Sequence, residues 1–231
     1  MTTIPTNLQA VRNRIAAACT NSGRPADAVQ ILAVSKTWPL ASVLEAAGCG
    51  QRAFGENYVQ EGVEKVAALA GLNPALSLAW HFIGPLQSNK TRLVAENFSW
   101  VQSVDRLKIA ERLAVQRPLD LPPLQVCIQV NVSGEATKSG CAPAELPFLA
   151  QRVATLPGLC LRGLMAIPEP TEDVDLQLQR FHQVRLLFDG LKRNGLAVDT
   201  LSMGMSHDLE AAIQAGATMV RVGTAIFGAR E

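Results

Sequence analysis

A lysine that ends an apolar, β-branched run is the first residue of this sequence that could do covalent chemistry. Lys36 directly follows the run ILAVS. A primary amine beside apolar walls loses hydration, which lowers its pKa and lets it form a Schiff base with a carbonyl compound. Alternatively, the lysine carries its charge out to solvent from the rim of the fold. Position alone leaves both interpretations open.

Hydroxyl groups and glycines follow two apolar runs near the end of the sequence. Ser206 comes after LSMGM, and Gly223 and Thr224 come after MVRV. Hydroxyls and closely approaching backbone N–H groups in such positions bind phosphate. Alternatively, Ser206 only caps a helix whose first turn, with Asp208 and Glu210, already satisfies its N-terminal N–H groups. The pattern predicts an anion site or a capped helix.

Three further polar residues lie in or after apolar runs. Arg221, inside MVRV, needs a partner if it is buried, either a carboxylate or a ligand. Asn57 follows AFGE and can bind a ligand hydroxyl or cap the next helix. His81, in WHFIG, is either a stacked or hydrogen-bonded histidine of the site or, as is more common, a hydrogen-bonded histidine of the core.

Eight short β-rich segments alternate with helical patterns, which is typical of repeated βα units around a parallel sheet. The predicted strands are Ile31–Ser35, Arg52–Gly55, Trp80–Gly84, Trp100–Ser103, Gln125–Asn131, Leu161–Ala166, Thr200–Gly204 and Met219–Gly223. Eight strands predict an α/β fold in the form of a closed (β/α)8 TIM barrel. The active-site face of such a barrel lies at the carboxyl ends of its strands, where the polar residues above fall.

A helix is predicted before the first strand, because Leu8, Val11 and Ile15 form an apolar stripe. Thr6 and Gln9 have the spacing of a capping box after Pro5, so the helix is expected to begin there. A second helix is expected to end before Gly195. No linker-like stretch divides the sequence, and we expect one domain over residues 1–231.

Composition excludes several classes of partner. A formal net charge of +1 gives no electrostatic footprint for nucleic acid, and the apolar runs are too short to span a membrane. Arg12 and Arg14 interrupt the stretch where a secretory signal would be apolar, and the five cysteines are widely spaced. The three histidines form no metal-binding motif. We therefore expect a cytoplasmic protein without a metal.

Six segments resemble one family across nearly the whole chain. They are AVSK, FGENYVQE, WHFIGPLQSNK, QVNVSGEATKSG, GLMAI and SMGMSHD…GATMVRVGTAIFG. In this order they resemble the pyridoxal phosphate homeostasis protein family, which implies a fold-type III barrel that binds pyridoxal 5′-phosphate (PLP) and is similar to the barrel domain of alanine racemase. The resemblance implies cytoplasmic regulation of PLP supply and amino-acid balance, without demonstrated turnover.

The resemblance also implies a role for each candidate residue. Lys36 would hold PLP covalently as an aldimine, and Asn57 would lie beside it. Phosphate ligands would be Ser206, Gly223 and Thr224. Arg221 would face the pyridine nitrogen and keep it unprotonated. No residue is assigned to catalysis.

The sequence departs from the commonest family pattern in two places, and two other functions stay open. Trp38 stands where many relatives carry a second lysine, and no basic tail follows Glu231. An amino-acid racemase needs a second acid or base, for which Tyr58 is the only tyrosine. A cofactor-free Schiff-base aldolase would also use Lys36. We expect a monomer, with PLP-dependent apoenzymes as possible recipients of PLP.

Overall fold

The predicted barrel is confirmed. The computed structural model describes residues 3–133 and 139–229. Within them, eight parallel strands close a barrel in chain order, and the last strand pairs with the first. The strands are β1 (Gln30–Val34), β2 (Ala53–Glu56), β3 (Ala79–Phe82), β4 (Trp100–Val104), β5 (Leu124–Gln129), β6 (Leu159–Met165), β7 (Thr200–Ser202) and β8 (Met219–Val222).

Helices cover the outside of this barrel and connect its strands. They are α1 (Ile4–Asn21), α2 (Leu40–Gly48), α3 (Val59–Leu72), α4 (Thr91–Asn97), α5 (Leu107–Gln116), α6 (Leu146–Ala154), α7 (Val174–Arg193), α8 (Leu209–Gln214) and α9 (Thr224–Phe227), and a 3₁₀ turn spans Ser88–Lys90. In the part of the chain that the structure describes, no helix is both long and apolar enough to cross a membrane.

The N-terminal helix is confirmed, but its predicted start is wrong. The N-cap is Thr3 rather than Thr6, so Thr6 lies inside the first turn and the predicted capping box does not form. Pro5 explains the difference, because its fixed φ and missing N–H suit the first turn of a helix. The apolar stripe is buried as predicted, with Leu8, Val11 and Ile15 all in the core.

Side chains along each strand point alternately towards the surrounding helices and towards the barrel axis, which divides the buried interior into two parts. In β8, Val220 and Val222 face the large core between barrel and helices, while Met219 packs with Leu32 and Val34 in a separate small cluster. Successive side chains of a strand point to opposite faces, so this second cluster lies inside the barrel. Arg221 is in phase with Met219 and therefore also points inward.

Candidate functional site

One cavity at the carboxyl ends of the strands contains all of the predicted site residues. It has a volume of about 210 Å³. Its walls are formed by Val34, Lys36, Asn57, Ile83, Ile167, Met205, Ser206, His207, Arg221, Gly223 and Thr224. Residues from both ends of the sequence meet here because β1 and β8 are neighbours in the closed barrel.

Lys36 follows the last residues of β1 and is half-buried at the cavity wall. The backbone before it is fixed, because Ser35 N donates to Gly55 O at 3.0 Å. The backbone after it is unusual, since Thr37 has a φ of 69°. Few β-branched residues adopt this left-handed conformation, so the turn that presents Lys36 is held by its surroundings.

Asn57 connects β2 to α3 and presents an unsatisfied oxygen. Its Oδ1 is buried and accepts no hydrogen bond from any residue that the structure describes. The N-cap of α3 is Tyr58, and the Asn57 side chain makes no capping contact, so the capping alternative is wrong. A buried acceptor without a donor is costly, which makes this oxygen a candidate contact for a ligand.

Arg221 is 4% exposed and points into the barrel beneath the cavity. One terminal nitrogen donates to Ser202 O at 2.7 Å and to Ser202 Oγ at 2.9 Å, and the other donates to Ala166 O at 2.8 Å. No carboxylate among the described residues forms an ion pair with the guanidinium, although the charge of Asp208 acts on it and raises its pKa against the larger effect of burial. Burial lowers the pKa of Arg221 to about 10, which still leaves the guanidinium protonated at neutral pH.

A chain of hydrogen bonds continues from Arg221 across the barrel interior. Ser202 Oγ donates to Gln102 Oε1 at 2.7 Å, and Gln102 Nε2 lies 2.9 Å from His81 Nδ1. Arginine can only donate, so each step of the chain has one direction and His81 Nδ1 is the final acceptor. Burial lowers the pKa of His81 to about 3, which keeps the ring neutral. The predicted core histidine is confirmed.

Sequence reasoning missed Gln102 and Ser202, although both are fully buried. The available signal was the polar residues within two short strands, WVQSV and TLS, each of which carries two. Because β5 and β6 separate β4 from β7 in the sheet, the contact between Gln102 and Ser202 follows only from closure of the barrel.

The opposite end of the cavity carries hydroxyl groups. Ser206 does not cap the next helix, because α8 begins at Leu209 with Asp208 as its N-cap. Asp208 instead accepts a hydrogen bond from Met205 N at 2.6 Å and so fixes the loop that carries Ser206. Among residues 3–133 and 139–229, the Ser206 and Thr224 hydroxyls have no hydrogen-bond partner, since Arg14 bonds to the Ser206 carbonyl instead, which leaves both hydroxyls available to an anion.

Gly223 lets the backbone approach this end of the cavity closely. A Cβ atom at this position would lie 3.2 Å from Val34 O. The cavity thus combines an amine, a buried cation, an unsatisfied amide oxygen and two hydroxyls. Such a set fits a small molecule that carries an aldehyde, an anionic group and a neutral acceptor.

Comparison with known proteins identifies the family. The family described as "Alanine racemase, N-terminal domain" matches residues 6–231. The pyridoxal phosphate homeostasis protein of Pseudomonas aeruginosa is 60% identical over 231 residues, covering 100% of this chain and 97% of its own. The Vibrio cholerae protein of the same name is 56% identical, with 100% and 98% covered. The chain belongs to the pyridoxal phosphate homeostasis protein family.

Solved structures agree with membership of the pyridoxal phosphate homeostasis protein family. PipY of Synechococcus elongatus, in a structure described as having PLP bound, is 36% identical, with a TM-score of 0.84 and coverage of 97% of this chain and 100% of its own. Alanine racemase from Corynebacterium glutamicum is 17% identical, with a TM-score of 0.67 over 96% of this chain and 61% of its own. This second likeness concerns the fold alone.

Proposed function

We propose that the chain binds PLP covalently through Lys36 and serves PLP homeostasis and amino-acid balance without catalytic turnover. The observation that carries the proposal is the single cavity in which Lys36, Arg221 and the Ser206 and Thr224 hydroxyls meet. Membership of the family and the PLP-bound structure of PipY support the choice of cofactor.

Each wall of the cavity has a role in this proposal. Ser206, Gly223 and Thr224 hold the phosphate through hydroxyl and backbone N–H donors, while the Lys36 amine forms the covalent bond. Asn57 lies beside the cofactor, where its unsatisfied Oδ1 can accept a hydrogen bond. When bound, PLP supplies an aldehyde for bonding to amines and a ring that can delocalise negative charge.

Arg221 would restrict the catalytic chemistry that bound PLP can supply. Its protonated guanidinium retains N–H groups beyond those directed to Ser202 and Ala166, and a remaining N–H would donate to the pyridine nitrogen of bound PLP. A nitrogen that accepts a hydrogen bond from a permanent cation stays unprotonated, which weakens the ring as an electron sink. Arg221 therefore favours holding PLP over turning substrates over.

A spectroscopic titration tests PLP binding. Apoprotein titrated with PLP is expected to develop a visible Schiff-base band, and Lys36→Ala is expected to lack it. Lys108→Ala, at an exposed position on α5, is the matched control and should behave like wild type. If wild type develops no band, the PLP proposal fails and the aldolase alternative gains support.

A racemase is the second candidate. The cavity argues against Tyr58 as its second acid or base and leaves His207 as the candidate for that role. Tyr58 is 55% exposed and does not line the cavity, whereas His207 does. Holoprotein incubated with L-amino acids is expected to form D-enantiomers no faster than free PLP does. Faster formation that His207→Ala abolishes would overturn the proposal of no turnover.

Location and partners complete the proposed function. We place the protein in the cytoplasm as a monomer that can pass PLP to PLP-dependent apoenzymes. Sedimentation velocity of holoprotein is expected to give a single species of about the 24.7 kDa chain mass. Activation of an apoenzyme faster than by an equal concentration of free PLP tests the transfer step.

A further inference from the structure

Three charged side chains form a buried cluster behind the turn that carries Lys36. Lys65 Nζ lies 2.8 Å from Glu56 Oε1 and 2.7 Å from Glu61 Oε1. Glu56 is fully buried, Lys65 nearly so, and the Glu61 side chain is 26% exposed. None of the three lines the cavity of Lys36.

This cluster contacts the backbone on both sides of Lys36. Before it, Ser35 O accepts a hydrogen bond from Lys65 Nζ at 2.8 Å, and Ser35 Oγ donates to Glu56 Oε1 at 2.6 Å. After it, Thr37 N donates to Glu61 Oε1 at 2.5 Å. The two residues that flank Lys36 are therefore fixed by one connected set of charges.

The conformation of Thr37 shows why such a connection matters. Its φ of 69° is disfavoured for a β-branched side chain and persists only where neighbouring contacts impose it. The contact with Glu61 is the hydrogen bond made by the Thr37 N–H. Loss of that bond would let the backbone relax and turn the Lys36 side chain away from its present direction.

Stability alone is a weak explanation for the cluster. Burying three charges costs desolvation free energy, and apolar residues of similar volume often stabilise a protein at least as well. Glu56 Oε2 even stays without a hydrogen-bond partner. The cluster has one clear geometric effect, which is to hold the backbone around Lys36. Within the described residues, the hydrogen bonds that its side chains make to the backbone go to Ser35 and Thr37, the two neighbours of Lys36.

We propose that Glu61 and Lys65 are positioning residues for Lys36, which fix the backbone on both sides so that its amine meets the carbonyl of a bound ligand. The inference rests on the proposed function of Lys36 as the site of PLP attachment. The covalent step is balanced by loss of water: the neutral Lys36 amine would form a C=N bond to the aldehyde carbon, the C=O bond would break, and the oxygen would leave as water with the two amine hydrogens.

PLP loading would have two phases, a reversible capture and a covalent step. Reversible capture depends on the phosphate contacts of Ser206 and Thr224, whereas the covalent step depends on the direction of Lys36. A positioning residue should therefore change the limiting rate of band formation and leave the half-saturating PLP concentration unchanged. A phosphate contact should do the reverse.

Stopped-flow loading of full-length apoprotein with PLP measures both quantities. Glu61→Ala is expected to lower the limiting rate roughly tenfold, equivalent to loss of one hydrogen bond to a charged group, with the half-saturating concentration unchanged. Glu61→Gln keeps an oxygen acceptor for Thr37 N and should restore most of the rate. Thr224→Ala should raise the half-saturating concentration instead.

Glu64→Ala is the matched control, since Glu64 is exposed on the same helix and, within residues 3–133 and 139–229, its side chain bonds to Gln60 alone. Unchanged kinetics in Glu61→Ala, or a change confined to half-saturation or thermal stability, would overturn the inference. If Glu61→Ala does not fold, Glu61→Asp replaces it as the test variant, because its side chain is one methylene shorter. The same results would then support or overturn the inference. Absence of band formation in wild type would instead reject PLP attachment itself.

Discussion

At the scale of single residues, polar groups inside the barrel connect the site to the core. The chain from Arg221 through Ser202 and Gln102 ends on a neutral His81, which stacks on Trp100 with ring centroids 4.9 Å apart. Every member of the chain has a hydrogen-bond partner, so this polar interior can stabilise one orientation of Arg221 without leaving a charge unsolvated.

Arg221 is expected to be irreplaceable by another cation. Arg221→Lys keeps the charge, but an ammonium cannot reproduce the planar fork that reaches Ser202 O and Ala166 O together. Leaving buried carbonyls unpaired is expected to lower the free energy of unfolding by about 2–4 kcal/mol. Urea denaturation measures this loss.

The control for this substitution is Arg92→Lys, at a 69% exposed side chain that pairs with Glu96 on α4. It should change the free energy of unfolding by no more than about 0.5 kcal/mol. Equal stability of the two variants would show that the buried fork contributes nothing.

His81 predicts a specific pH dependence of stability. Its pKa is about 3 in the folded protein and about 6.5 when unfolded, so below pH 6.5 the unfolded chain binds the extra proton. This contribution to stability is complete above pH 6.5 and is lost as the pH falls towards 3. Between pH 7 and pH 5 the loss should be about 2 kcal/mol.

A His81→Gln variant isolates this effect, because glutamine is neutral at every pH while the carboxylates common to both proteins contribute equally. Urea denaturation at pH 7 and pH 5 should show a smaller loss in the variant than in wild type. The same loss in both proteins would mean that His81 is not held neutral.

At the scale of elements, the sequence predicts the strands well and their carboxyl ends poorly. Six predicted strands run one or two residues too far, as Trp80–Gly84 does against the observed Ala79–Phe82. Some of the extra residues keep hydrogen bonds of the sheet, as Ile83 N donates to Glu56 O at 2.9 Å, but Gly204 has a φ of 91° and Gly223 has helical backbone angles. Ile83 and Gly223 line the cavity, so two of these strands end where the wall of the site begins, which local propensity does not encode.

Helix starts show the same limit. Ser206 and Thr6 have the residue type of an N-cap, but the caps are Asp208 and Thr3. In each case several adjacent residues could have capped the helix, and the choice depends on tertiary contacts such as the hydrogen bond from Arg14 to the Ser206 carbonyl at 3.1 Å. That the candidate site residues line one cavity could be predicted, whereas their local backbone roles could not.

Gly84, which follows β3, packs closely against the backbone of Asn57, which follows β2. A Cβ atom at Gly84 would lie 2.1 Å from Asn57 O, so Gly84→Ala must displace the backbone that carries Asn57. It is expected to cost about 1–3 kcal/mol of stability and to raise the half-saturating PLP concentration. Urea denaturation and PLP titration measure the two effects.

Gly71→Ala is the matched glycine control, since a Cβ atom there would meet nothing within 4 Å in α3. It should be neutral or stabilising by up to about 1 kcal/mol, with PLP binding unchanged. If Gly84→Ala binds PLP as wild type does, the close approach of the two strand ends does not position Asn57.

At the scale of the whole molecule, barrel closure is what assembles the site. Lys36 and Arg221 are far apart in sequence, and they face one cavity because β1 pairs with β8, with Leu32 opposite Arg221. The eight repeated βα units could be counted from the sequence, so closure and the site's face were predictable. That residues 1–231 form one domain stays a prediction.

The central claim, covalent PLP binding at Lys36, is tested most directly by borohydride reduction. Holoprotein is reduced, digested and mapped by mass spectrometry, which distinguishes Lys36 from the five other lysines of the chain. We predict one PLP-modified peptide, containing Lys36, with stoichiometric labelling and none in Lys36→Ala. Labelling spread over exposed lysines, or equal labelling of Lys36→Ala, would contradict the account.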